Sequence, residues 1–350
     1  MAAQKTTSSS QDKGPLSGLL VLDFARLYPG PLGTRLMALM GARVIKIEDR
    51  HHPDPMRFYP PFIDGESAGY LAVNRDKEIR TVDFAGEAGR KELFDLIRQA
   101  DVLVEQFRPG VMEQLGLGYE SVAKENPAII YASLTGYGQR GPYADQAGHD
   151  INYLALAGIL AMTGTPQEGP VLPGVQVADV AGGAYWLIMR ILAALWQRHR
   201  TGRGCYLDVS MLEGVLPLAT LQWAQFQAGG QKFGPGQHPL SGALPNYNIY
   251  RCKDGRYIAL GALEQKFWDA FCDRVKRPEW KPLHFAMGKE GERLKRELEK
   301  LFLLKERDEW IAFFAGRDVC LTPVLELDEL DTAPVVNKFD WIRRLWKRGK

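Results

Sequence analysis

The chain reads as an α/β protein, with a large domain built on a parallel sheet and a smaller α+β domain after it. Three observations predict this. Short apolar runs alternate with single helical segments through the N-terminal half, the pattern of right-handed βαβ crossovers. Gly/Pro/Gln-rich sequence interrupts the pattern at 222–245. Beyond it a hairpin pattern leads into charge-rich helices. A length of 350 residues suits two domains.

The elements follow in order. Residues 18–25 (GLLVLDFA) form an apolar run suited to a strand buried on both faces, broken at Tyr28-Pro29-Gly30-Pro31. A helix is expected at 32–40, with Pro31 in its first turn and Gly41 at its C-terminal cap. Residues 42–48 give a second strand, 93–99 part of a second helix, 101–105 a third strand and 129–134 a fourth. An apolar helix spans 184–196. In the small domain, 247–252 and 257–260 pair across a Lys253-Asp254-Gly255-Arg256 turn, and helices follow at 264–271, 290–304 and 306–314. The expected division is a disordered N-terminus at 1–14, a large domain at 15–221, a linker at 222–245, a small domain at 246–317 and a return to the large domain at 318–350.

Composition excludes several classes. A net charge of +2 gives no field that would draw nucleic acid or a membrane surface, and the basic run at 343–350 reads as a solvated end. No run reaches the roughly 18 apolar residues of a membrane span. The cysteines, Cys205, Cys252, Cys272 and Cys320, are far apart and read as buried small hydrophobes of a reducing, cytoplasmic compartment. His51-His52 is followed by Pro53, a loop rather than a metal-binding helix face, so no metal is expected.

In parallel sheets ligands bind at the carboxyl ends of the strands. The segments 24–31, 48–55, 105–110 and 135–148 should therefore share one edge. Neither GxGxxG in the first turn nor a Walker loop is present. Arg26, Arg50, Arg75, Arg80 and Arg108 lie in or near these segments, and guanidinium forks suit a phosphate-bearing substrate.

Three residues could carry proton chemistry. His149 lies beside Asp150 at the start of an apolar run, and is either a working base or a hydrogen-bonded structural residue. Asp179 precedes an apolar helix, where it is either an N-cap or a base kept ionised by the helix dipole. Glu264 begins a helix just past the hairpin and is by itself an ordinary first-turn acid.

The runs Gly41-Ala42-Arg43-Val44-Ile45-Lys46-Ile47-Glu48, Asn74-Arg75-Asp76-Lys77, Glu105-Gln106-Phe107-Arg108-Pro109-Gly110, Thr135-Gly136-Tyr137-Gly138 and Thr201-Gly202-Arg203-Gly204 resemble those of the family III CoA-transferases. Gly148-His149-Asp150, with the contexts of Asp179 and Glu264, is similar to the α-methylacyl-CoA racemases of that superfamily. The resemblance runs from about residue 15 to about 324.

The resemblance implies a Rossmann-like large domain, a small domain and an interlocked homodimer whose site lies between chains. It implies an acyl-CoA substrate and interconversion of 2R and 2S 2-methylacyl-CoA through an enolate, a step of lipid metabolism, with no further cofactor. His149 and Glu264 would act on one face and Asp179 on the other, with an oxyanion donor near Gly183. CoA contacts would fall on Arg50, on Val82, Asp83, Phe84 and Ala85, on Gln106, Phe107 and Arg108, and on Gly148, Asp150, Ile151, Asn152 and Tyr153. Gln114 stands where related racemases carry an arginine. The alternative is a CoA-transferase in which Asp150 is the nucleophile and forms an acyl anhydride, as the aspartate does in Gly-Tyr-Asp or Gly-Phe-Asp transferases.

Overall fold

The computed structural model describes residues 14–339. The N-terminal tail and the basic run at 343–350 lie outside them. The described chain forms two compact units. The first holds residues 14–157 and 175–218, the second residues 158–174 and 219–339.

The first unit is built on six strands: β1 (Leu20–Asp23), β2 (Arg43–Asp49), β3 (Glu78–Val82), β4 (Val102–Glu105), β5 (Ile130–Thr135) and β6 (Cys205–Ser210). All pair in parallel, in the order β6-β5-β4-β1-β2-β3. This is the doubly wound arrangement, and the strand order reverses between β1 and β4. Four strands were legible as apolar runs. The two that were not, β3 and β6, are the edges. Four of the five β3 residues are exposed, and Arg43 on β2 pairs with Glu78 at 2.7 Å. Edge strands carry charge on their open side, which erases the continuous apolar signal.

Helix α1 (Pro29–Leu39) starts three residues before the expected position and ends as predicted, with Gly41 at φ +102° just beyond it. A Cβ on Gly41 would lie 2.9 Å from the Gly14 nitrogen, so only glycine closes this turn. Helix α2 (Glu87–Ile97) buries Leu93 and Ile97 against Leu22, Ile45, Leu103 and Tyr131 of the sheet.

Two buried ion pairs lie beneath the turn after β1. Lys77 Nζ meets Asp23 Oδ2 at 2.7 Å, and Lys46 Nζ meets Asp54 Oδ2 at 3.0 Å, with all four side chains inaccessible. Burial opposes ionisation of Asp23, yet Lys77 and Lys46 hold its carboxyl below the ordinary aspartate range. Burial also pushes Lys77 down to about 8. Removing one member of such a pair strands its partner's charge. Asp23→Ala is expected to lower unfolding stability in urea by about 3–5 kcal/mol. An unchanged midpoint would show that the pair contributes nothing.

The apolar helix is longer than the sequence reading placed it. It runs over Ala178–Thr201, and its first eight residues are π-helical. Contrary to the expectation that no segment could span a membrane, this helix is long and apolar enough to do so by length and composition. Its Leu187, Ile188, Ile191 and Ala194 are buried, and it packs on α1, β5 and β6 of the same unit.

The second unit holds an antiparallel sheet of β7 (Tyr247–Arg251), β8 (Tyr257–Gly261) and β9 (Leu321–Pro323). Its core is aromatic, with Trp268, Phe271, Phe302, Trp310 and Phe314 in mutual contact.

Three boundaries need correction. Residues 318–339 belong to the small unit rather than the large one, because β9 pairs with β8. Residues 158–174 also join it. The expected linker contains a helix, Thr220–Gly229, and His238, nearly inaccessible, bonds Gln225 Oε1 at 2.8 Å. That helix escaped the sequence reading because it buries no residue and so shows no apolar stripe. Cys320, expected to be buried, is exposed.

Candidate active site

The carboxyl ends of β1, β2 and β4 open into a cavity of about 440 Å³ at the strand-order reversal. Phe24, Arg26, Asp49, His52, Phe84, Phe107 and Arg108 are among its lining residues. The Arg26 guanidinium lies over the Phe107 ring, 4.6 Å from its centroid. Of the expected CoA contacts, Phe84, Phe107 and Arg108 line this cavity.

The others have different surroundings. Arg50 is exposed and its N–H bonds the Val82 carbonyl. Val82 is buried in the core. Asp83 Oδ1 accepts the N–H groups of Ala85 and Gly86, closing the turn into α2. Gln106 Oε1 accepts the Gly30 N–H at 3.0 Å and so anchors the start of α1. Phe24, Asp49 and His52 fall in the segments 24–31 and 48–55 expected at this edge, although none was singled out as a contact residue. Gln114 is exposed at the end of a single helical turn, Val111–Gln114.

Of the three residues singled out for proton chemistry, His149 lies at the start of helix α3 (Asp150–Leu156) and Asp179 is joined to that start through Asp150, whereas Glu264 lies in the other unit. His149 is its N-cap residue, exposed, and its backbone N–H donates to Asn152 Oδ1 at 3.0 Å. Tyr153 donates its hydroxyl to the Gly148 carbonyl at 2.6 Å and packs edge-on against Tyr137 at 5.1 Å. This bond pins the chain immediately before His149. Ile151 is exposed beside it.

Asp150 reaches across to the long helix. Its Oδ1 accepts the backbone N–H of Ala178 at 2.6 Å and of Asp179 at 3.0 Å. Both are orphan donors of the first turn, and a carboxylate there complements the helix dipole. The expectation that Asp179 caps this helix is therefore corrected, since Asp150 does so. The expectation that the dipole keeps Asp179 ionised is corrected too. Burial, and then the Asp150 charge, raise the Asp179 carboxyl to about 7. It lies within the π-helical stretch, a distortion frequent at functional sites.

Gly183 is not at a helix start. It is the sixth residue of the continuous helix, past the first-turn donors, so it offers no oxyanion hole. Its lack of a side chain serves packing, because a Cβ there would meet the Pro29 Cβ at 2.6 Å.

Glu264 lies in the small unit, exposed, immediately before the helix Gln265–Arg274. Its carboxylate makes no capping bond. Among the described residues no group of three or more His, Cys, Asp or Glu could hold a metal ion.

The arrangement thus offers a cavity at the sheet's switch point lined by Arg26 and Arg108 together with Glu48, Asp49 and Asp54 and, in the same unit, an exposed imidazole, an anchored carboxylate and a carboxyl raised to about 7. The model of CoA-transferase family III matches residues 16–349. The human alpha-methylacyl-CoA racemase is 36% identical over 316 residues, covering 90% of this chain and 79% of that protein. The acetyl-CoA:oxalate CoA-transferase of Acetobacter aceti is 34% identical over 338 residues, covering 94% of this chain and 85% of that protein. The crystal structure of a CaiB/BaiF family protein from Brucella suis superposes with a TM-score of 0.81 at 28% identity, covering 93% of this chain and 88% of that one. The chain belongs to CoA-transferase family III, whose relatives include both racemases and transferases.

Proposed function

We propose that this chain is a 2-methylacyl-CoA racemase that removes and returns the α-proton of a CoA thioester. The observation that carries the reading is the division of labour between two neighbouring carboxyl groups. Asp150 is tied to backbone amides, whereas Asp179 sits near 7, where one group can both take and give a proton at neutral pH.

In this reading the cavity at the switch point takes the phosphate-bearing part of CoA, with Arg26 and Arg108 as its cations. His149 serves one face of the α-carbon and Asp179 the other. The backbone N–H of Asp150 has no partner within its own helix and can receive the developing enolate oxygen. Glu264 orients His149, and no additional cofactor takes part.

A homodimer accompanies the proposal, with Glu264 supplied by the partner chain. Tyr185, Met189, Leu192 and Trp196 recur at helical spacing and are exposed, an apolar stripe that a second copy would cover.

The second reading is acyl transfer to a free carboxylic acid, favoured by the similarity to the Acetobacter enzyme. Asp150 is a poor nucleophile for it, because one oxygen already accepts two backbone bonds.

The readings separate in D₂O. Incubation with a 2-methylacyl-CoA alone is expected to introduce α-deuterium and equalise the two epimers. Asp150→Ala should slow this without abolishing it, by loosening the helix start. Acyl exchange that requires an added carboxylic acid, with no α-deuterium, would sink the racemase.

A further inference from the structure

Three residues lining the switch-point cavity are acids, Glu48, Asp49 and Asp54, which would repel a phosphate if they were free. Each has a partner. Asp49 Oδ2 lies 2.7 Å from His52 Nδ1. Glu48 receives the Arg57 guanidinium on both oxygens, at 2.8 and 2.9 Å. Asp54 Oδ2 meets Lys46 Nζ at 3.0 Å, with both side chains inaccessible. The other cations of the lining are Arg26 and Arg108, and among the described residues neither has an ion-pair partner.

The turn that carries Arg26 is gripped on both sides of that residue by one buried pair. Before it, Lys46 Nζ donates to the Ala25 carbonyl. After it, the Leu27 N–H donates to Asp54 Oδ1 at 3.0 Å, while the other oxygen of Asp54 receives Lys46. Leu27 has φ +64°, a left-handed conformation unfavourable for a non-glycine residue, so the turn needs such a hold. Ala25 is also held through its N–H, which donates to Asp23 Oδ1 at 2.9 Å. The grip comes from the neighbouring strand, because Lys46 stands opposite Asp23 in the ladder of β1 and β2. Between these anchors Arg26 lays its guanidinium over Phe107, another residue of the cavity wall.

We propose that Asp54 and Lys46 are positioning residues for Arg26, fixing its turn so that the guanidinium stays in the cavity to meet a phosphate of the CoA thioester. The ordering of the turn is completed on folding, and binding does not bear it. The inference rests on the reading that this cavity takes the phosphate-bearing part of CoA.

Asp54→Asn keeps the side chain's size and removes the charge that holds Lys46. Calorimetric titration of the full chain with CoA is expected to show Kd raised about tenfold, as for loss of one hydrogen bond to a charged group. Arg26→Met should raise Kd to a similar degree. Adding Asp54→Asn to Arg26→Met should then change Kd by less than about twofold, because the clamp has nothing left to position. Should Asp54→Asn alone fail to fold, Lys46→Met/Asp54→Asn leaves no stranded charge and permits the same comparison. Kd raised by Arg26→Met but not by loss of the clamp overturns the role of Asp54 and Lys46 alone. Equal losses with and without Arg26 overturn it too, since a merely structural defect acts in both backgrounds. A wild-type Kd in Arg26→Met sinks the reading of the cavity and the clamp together.

Discussion

His149→Ala is expected to slow interconversion of the 2-methylacyl-CoA epimers by about 10²–10⁴-fold, the usual contribution of one general acid or base. The side chain is exposed at the N-cap of α3, and the bond to Asn152 comes from the backbone N–H, which alanine retains. Unfolding stability should therefore stay within about 0.5 kcal/mol of wild type. The stereochemistry distinguishes a lost base from general damage. The epimer served by Asp179 should still exchange its α-proton for deuterium, with retention. Mixing His149→Ala chains with Glu264→Gln chains tests the shared site. Random reassortment of a homodimer would restore about a quarter of the wild-type rate, because half of the dimers would hold one intact site. No recovery would show that the two residues act within one chain or not together.

Asp179→Asn is expected to abolish interconversion to a similar degree while stabilising the fold. The sign follows from where the proton sits. The Asp179 carboxyl is raised to about 7 from an ordinary 3.8. Below 3.8 it is protonated in both folded and unfolded chains and costs nothing. As pH climbs from 3.8 to 7 the unfolded chain releases the proton and the folded chain keeps it, so stability falls. Above 7 the folded chain carries the full penalty of a half-buried anion beside Asp150. Asparagine removes that penalty, giving a gain of about 1–2 kcal/mol at pH 8 that vanishes near pH 3.5. Urea unfolding at the two pH values measures it. Equal effects at both would mean that Asp179 titrates as an ordinary aspartate. The wild-type enzyme should also show complementary pH limbs near 7. Proton removal by Asp179 rises through that pH, and proton delivery by Asp179 falls.

Much of the fold was legible because buried strands advertise themselves. The residues of β4 and β5 are buried throughout, and all but the first residue of β1 are as well, so each reads as a mainly apolar run. The edge strands β3 and β6 hid because half of their surroundings is water. The helix Thr220–Gly229 hid for a related reason, since it buries no residue in its own unit. The small unit's claim on 318–339 hid because β9 is only three residues long and is defined by its partner β8.

The candidate site divides in the same way. Residue types, order and local context were enough to single out His149, Asp179 and Glu264, and the resemblance assigned them chemistry. What the linear chain determined is therefore the inventory: an imidazole before a short helix, two acids 29 positions apart, and cations after strand ends. The tertiary structure decided which acid does what. Hydrogen bonding between Asp150 and the amides of Ala178 and Asp179 made one carboxylate an anchor, and burial beside that anchor made the other titrate near neutrality. The physical reason is that a pKa belongs to an environment. Desolvation and neighbouring charge act through space, over contacts that residues distant in sequence make only once the chain has folded.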